Sequence, residues 1–356
     1  MQKLLVGLLL ILFLPFSVVA TAAAPTSNGE MQQLQDPGAN IWNAARGREE
    51  ADTGQIRTQV KGVDSNVLIN RGGDEWRLYR MEELIPMAAK VLGAVAIAIL
   101  VFRLIRGKIP IKSGRSSNKI KRFSTFQRWV HWITAILFVG LSITGIALMF
   151  GRHIVMPLFG PEAGGTVMVL MKRIHDISGP MFAIALIVLT LTFIKGNFAH
   201  ISDLKWVFKG GGLFGGHAPA GRYNAGEKGW YWIAVILGGA VVVSGLILNF
   251  PNFELTREMG FALFNLEQSR ETMSFYHWVH SIATVVIMAA AMGHIYMGTI
   301  AMEGAFEAMQ TGYCDENWAK EHHDLWHEEM VEKGHIIVGN EQESDHSAVT
   351  QQDRPA

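Results

Sequence analysis

Apolar positions in this chain gather into long uninterrupted runs, not into the alternation of a strand or the one-sided stripe of a surface helix. Five runs of roughly 20 residues, the length that crosses a hydrocarbon core of about 30 Å, cover Leu84–Ile105, Trp129–Phe150, Ile177–Ile194, Trp230–Phe250 and Tyr276–Met302. They predict five transmembrane helices and an all-α integral membrane protein. A further apolar run lies in residues 1–24, "MQKLLVGLLLILFLPFSVVATAAA", with a cation at Lys3, a break at Pro15 and small residues at its end. It reads as a secretory signal peptide cut around Ala22 to Ala24. Cleavage there would leave the polar stretch 25–83 exported; without a long periodic pattern, it is expected to have little structure of its own.

Composition agrees with the pattern. Of 356 residues 49% are hydrophobic and 17% charged, and the formal net charge is zero. So little charge favours a membrane protein, and nothing points to a nucleic-acid partner. The single cysteine, Cys314, excludes an intrachain disulfide framework, a Cys-rich iron–sulfur site and a covalently attached c-type haem. Charge bias gives the direction of the spans. The linker 106–128 carries many Arg and Lys residues and no acid, which reads as cytoplasmic. The loop after the third span, with Lys195, Lys205, Lys209, Arg222 and Lys228, reads the same way. The loops at 151–173 and 251–275 hold fewer cations and are expected outside, leaving the tail 303–356 in the cytoplasm. An exported N-terminus gives the same topology independently.

Histidine in hydrocarbon is costly and needs a reason. The helix directions put His131 near the cytoplasmic face, His175 near the outer face, and His280 and His294 near the outer and inner ends of the last span. Fourteen residues separate His280 from His294, about four turns and a rise of about 21 Å, so both occupy one helix face at two depths. His277 is off that face and reads as interfacial. The layers pair His131 with His294 and His175 with His280. Two imidazoles close both axial positions of a haem iron and leave an electron carrier, so the pattern suggests two b-type haems. Gly140, Gly145, Gly179, Gly245 and Gly293 would let a flat macrocycle approach the backbone, although glycines also serve ordinary helix packing. A histidine-lined metal or proton transporter is the alternative; such paths usually recruit membrane acids as well, and these spans contain almost none.

The residues resemble the cytochrome b (gamma) subunit of membrane-bound formate dehydrogenases. The resemblance covers about 124–330, through "RWVHW" around His131, "RIHDISGP" around His175, "RYNAGEKGWYW" at 222–232, "WVHSIA" around His280, "GHIYM" around His294 and "WAKEHHDLW" at 318–326. Cytochrome b subunits of nickel–iron hydrogenases and related quinone-linked complexes share that core and are the competing reading. The resemblance implies a four-helix dihaem core over 129–302, with the helix at 84–105 as an addition expected to pack beside it. It implies axial ligands at His131, His175, His280 and His294, and a quinone site at Asn224, Gly226 and His294. It also implies an iron–sulfur (beta) partner, a molybdenum- or tungsten-containing catalytic (alpha) partner that oxidises formate, and residence in a bacterial inner membrane. Asn224 is also a natural turn residue in "YNAGEK". The chain itself offers no catalytic nucleophile or acid–base dyad for formate chemistry. The tail motif with His322, His323 and His327 reads as a solvated or partner-contacting face of an acidic helix, with no metal.

Overall fold

A computed structural model describes residues 71–212, 218–249 and 270–339. The signal peptide, most of the exported stretch, residues 250–269 and the tail beyond 339 lie outside the described residues. Helix α1 (Arg71–Tyr79) passes through a π turn at Arg80–Leu84 into α2 (Ile85–Arg106). Strand β1 (Lys119–Lys121) precedes α3 (Thr125–Phe150), α4 (Val155–Phe193), the short α5 (Ile201–Phe208), α6 (Ala225–Asn249) and α7 (Arg270–Tyr296). A second π turn, Met297–Ala301, leads to α8 (Glu307–Thr311), β2 (Tyr313–Asp315), α9 (Glu316–His322), α10 (Asp324–Glu332) and β3 (Ile336–Ile337). Among the described residues five stretches are long and apolar enough to cross a membrane: Asp74–Arg106, Thr125–Phe150, Val155–Phe193, Ala225–Asn249 and Glu271–Ala301. Each contains or overlaps a run read from the sequence.

Two boundaries differ from the hydropathy reading, and each has a local cause. The first helix starts at Arg71, about a dozen residues early, because its polar head leans on α7: Trp76 stacks on His277 at 5.8 Å, and Tyr79 Oη accepts a hydrogen bond from Trp278 Nε1 at 3.0 Å. The expected loop at 151–173 is mostly helix. Gly160, at φ +75°, breaks α4 just before Pro161, which suits a helix start because its missing N–H is not needed there. From Pro161 to Phe193 the helix is about 50 Å long by its rise, well beyond one hydrocarbon core. Pro180 also lacks an N–H and leaves the carbonyl of Asp176 without its helical donor. Asn249, at the end of α6, supplies one at 3.0 Å from its Nδ2.

Close backbone packing runs α3 with α4, α6 with α7 and α4 with α6, while α2 lies against α7. At one end of the bundle a polar cap closes it, and α3 begins there with a reciprocal cap. Ser124 Oγ accepts from the N–H of Gln127 at 3.1 Å, and Gln127 Oε1 accepts from the N–H of Ser124 at 3.0 Å. The cap contains a small antiparallel sheet in the order β2-β1-β3, with Ile120 facing Cys314 on one side and Ile336 on the other. Ile120, Cys314, Trp318 and Ala319 are fully buried there, with Phe123, Tyr223 and Trp326 around them.

At the centre of the cap sits Arg122, with its side chain only 4% exposed. It donates to Glu227 Oε1 at 3.0 Å and to the carbonyl of Arg222 at 2.9 Å, and its guanidinium lies 4.9 Å from the Trp318 ring and 5.2 Å from Phe123. His323 completes the group. Its Nδ1 donates to the carbonyl of Gly221 at 2.8 Å, so Nε2 accepts from Arg122 at 3.3 Å. Burial first, then the Arg122 charge, push the His323 pKa down to about 4. The solvated face expected for the tail therefore gives way to a buried contact: His323 is fully enclosed and joins the tail to the 106–128 linker and the head of α6. Hydropathy could not show this, since each of the three segments is polar by itself.

Candidate functional site

The four histidines predicted as ligands form two pairs. At the capped end the ring centres of His131 on α3 and His294 on α7 are 6.3 Å apart; toward the far end those of His175 on α4 and His280 on α7 are 6.2 Å apart. Two metal–nitrogen bonds of about 2 Å, with about 1.1 Å more from each nitrogen to its ring centre, span about 6.2 Å. Both separations match that span. Each pair bridges helices that do not pack closely backbone to backbone, since α7 packs on α6 and α2 rather than on α3 or α4. The imidazoles therefore meet across a gap in the bundle. Gly179, one turn along α4 from His175, borders open space: a Cβ there would find no atom within 4 Å.

The far pair has its tautomers fixed by the fold. The Thr144 hydroxyl donates to the carbonyl of Gly140 at 3.0 Å, so toward His175 Nδ1, at 2.8 Å, it can only accept. Ser244 repeats the device, donating to the carbonyl of Ala240 at 2.6 Å and facing His280 Nδ1 at 3.1 Å. The same Nδ1 lies 3.1 Å from the carbonyl of Val241, which has no proton to give. Both rings thus carry their proton on Nδ1 and keep the Nε2 lone pair for a metal, as in metal sites where the second ring nitrogen donates to a neighbour. Gly245 makes room for one of these rings, while Gly145 lies in ordinary contact with the other. A Cβ at 145 would stand 3.6 Å from His175 Cε1, and one at 245 only 3.0 Å from His280 Cε1. The close approach permitted by Gly245 is to an imidazole.

The capped pair is held differently. His131 Nδ1 is buried without a hydrogen-bond partner, and His294 is stacked face to face by Trp230 at 4.7 Å with 14° between the planes. Imidazoles in matched pairs, with a free Nε2 on the far pair and Gly245 closely admitting one of its rings, have the chemistry to hold haem iron. A family profile described as prokaryotic cytochrome b561 matches residues 122–312, which include all four histidines. The chain belongs to the prokaryotic cytochrome b561 family. It is a cytochrome b membrane subunit, and its family implies haem b.

Similar proteins agree. The formate dehydrogenase cytochrome b556(fdo) subunit of Escherichia coli K12 is 26% identical over 216 residues, 60% of this chain and 94% of its own. The nitrate-inducible formate dehydrogenase cytochrome b556(Fdn) subunit of the same organism is 25% identical over 219 residues, 60% of this chain and 93% of its own. The formate dehydrogenase cytochrome b556 subunit of Haemophilus influenzae is 27% identical over 226 residues, 61% of this chain and 85% of its own.

Asn224 and Gly226 lie at the head of α6. Asn224 Oδ1 accepts from the N–H of Glu227 at 2.9 Å, and Glu227 Oε2 accepts from the N–H of Asn224 at 3.0 Å. Asn224 is therefore an N-cap with its carboxamide oxygen engaged, which leaves Nδ2 as the polar group it can offer a ligand. Gly226 lies one turn before Trp230, the indole stacked on His294. Trp230, Thr144 and Ser244 were missed by reasoning from motifs. A sequence signal did exist for the hydroxyls: residues 126–150 and 226–250 align without a gap, matching Trp132 with Trp232, Ile136 with Ile236, Leu137 with Leu237, Thr144 with Ser244 and Gly145 with Gly245.

Proposed function

We propose that this chain is the electron-carrying membrane subunit of a formate dehydrogenase complex, holding two b haems and passing electrons to a quinone at the capped end. The observation that carries the reading is the pair of bis-histidine arrangements at two depths of one bundle. His175 and His280 would hold one haem, and His131 and His294 the other. When bound, each haem would supply a one-electron centre. The chain itself orients the ligands: Thr144, Ser244 and Val241 fix the Nδ1 protons of the far pair, and Trp230 holds the plane of His294.

Near the capped pair, Asn224 Nδ2 has the chemistry to donate to a quinone carbonyl, and Gly226, without a side chain, lets the Trp206 ring lie beside it. The basic linker and the 218–228 segment support a cytoplasmic position for the capped end, in a bacterial inner membrane with the mature N-terminus exported. Electrons then arrive at the far end from an iron–sulfur partner, and quinone takes its protons from the cytoplasm. Formate is oxidised on a molybdenum- or tungsten-containing partner, in keeping with the names of the relatives.

The test is haem b per polypeptide, by pyridine haemochrome, on the detergent-solubilised chain. Two haems are expected, and one in His280→Ala; a folded, haem-supplied protein without haem overturns the reading. Co-purification with molybdenum or tungsten supports the formate assignment, and nickel overturns that part.

A further inference from the structure

Between α4 and α6 the eight residues of α5 divide by side. Ile201, Leu204, Val207 and Phe208 are exposed, Phe208 by 88%. Asp203 instead turns to the head of α6 and pairs with Lys228 at 2.9 Å. Trp206 also turns inward, and its six-membered ring lies between two glycines. A Cβ on Gly226 would stand 3.1 Å from Trp206 Cη2 and 3.2 Å from Asn224 Oδ1; one on Gly211, where φ is +63°, would stand 2.6 Å from Cζ2. Only residues without side chains admit the indole there. It touches the glycine that lies between Asn224 and Trp230.

The outward face of α5 has its own requirement. Four exposed apolar side chains, beside the exposed Lys205 and Lys209 and level with the start of the α6 span, suit the boundary between hydrocarbon and headgroups. A quinone is lipid-soluble and reaches a protein site from the bilayer. The element packed on the head of α6 beside Asn224 is α5.

We propose that Trp206 is the lipid-side wall of the quinone site and stacks against the quinone ring as it reaches Asn224. This rests on the reading that quinone binds at Asn224 and Gly226. The full chain with both haems, reconstituted in phosphatidylethanolamine–phosphatidylglycerol nanodiscs and reduced, is mixed with menaquinone-4 and the haem reoxidation followed by stopped flow. In Trp206→Ala the half-saturating quinone concentration rises about three- to tenfold, the range of one aromatic pair, while the maximal rate and haem spectrum are kept. Trp206→Phe restores most of the loss. If Trp206→Ala changes nothing while Asn224→Ala weakens quinone binding, the wall proposal is overturned and the quinone placement stands; if neither has an effect, the placement itself falls. Should Trp206→Ala misfold, Gly211→Ala decides. It displaces the indole without touching Asn224, and an unchanged half-saturation overturns the proposal.

Discussion

The far and capped histidine pairs are built on different plans. The far pair follows the internal repeat: His175 leans on Thr144–Gly145 and His280 on Ser244–Gly245, so each hairpin of two spans makes its own half of the site. The capped pair breaks the repeat. Where α3 has His131, the matching position of α6 is Tyr231, whose phenol donates to the carbonyl of Thr190 at 2.9 Å and binds α6 to α4 instead. At the far end the spans alone position the two imidazoles. The capped end also needs Trp230 and, behind it, a polar domain assembled from three separated segments. The difference teaches that a symmetric bundle suffices to bring one pair of imidazoles together, while the other pair is backed by an asymmetric addition.

Substituting the ligands separates the two plans most strongly. His280→Ala should remove one of two haems and leave the capped-end site filled, read as haem per chain; loss of both would show that the pairs do not form independently. Next comes the cap. Arg122→Ala leaves the ring of His323 without its buried donor and the partly exposed Glu227 without its ion pair, which should cost the cap about 1–3 kcal/mol. Chemical denaturation followed by the fluorescence of Trp318 and Trp326 measures it, and an unchanged far-pair spectrum would show that the two ends are separable.

Acid should act on the same end. His323 is neutral in the fold, with a pKa near 4 against about 6.5 unfolded. The unfolded chain therefore binds a proton that the folded one refuses between those values, and stability rises with pH across that window. The cap should be fully stable above pH 6.5 and lose up to about 3 kcal/mol as pH falls to 4. Glu227, His322 and Arg122 share the site, so His323→Gln should flatten the profile without changing the far pair. At the far end, Ser244→Ala should weaken haem retention about 10- to 100-fold, the usual effect of losing a hydrogen bond behind a metal ligand; the Val241 carbonyl favours the lower figure. The smallest effect is chemical: burial pushes the Cys314 thiol up to about 11, so maleimide should label it only when the cap opens.

Five spans and the two depths at which four histidines pair were legible in the sequence, because membrane-length apolar runs and a fourteen-residue spacing on one helix are local properties. The hydroxyl–glycine pairs were legible only through the hundred-residue repeat, since a Thr or Ser in a span also satisfies itself by bonding its own helix. Trp230 and Trp206 carried no signal, as an aromatic near the end of a span is commonplace. His323 was read as solvated because its helix is acidic. It took Arg122, two hundred residues earlier, to bury it.

The sequence by itself determined the class of this protein, its spans, and which imidazoles share a depth, because hydrophobicity and helical period act over neighbouring residues. Only the tertiary structure decided which ring nitrogen each histidine of the far pair keeps free, which indole covers His294, and that three polar segments close one end. Those outcomes depend on groups far apart in the chain that lose water together, and no local pattern records which partner each will find.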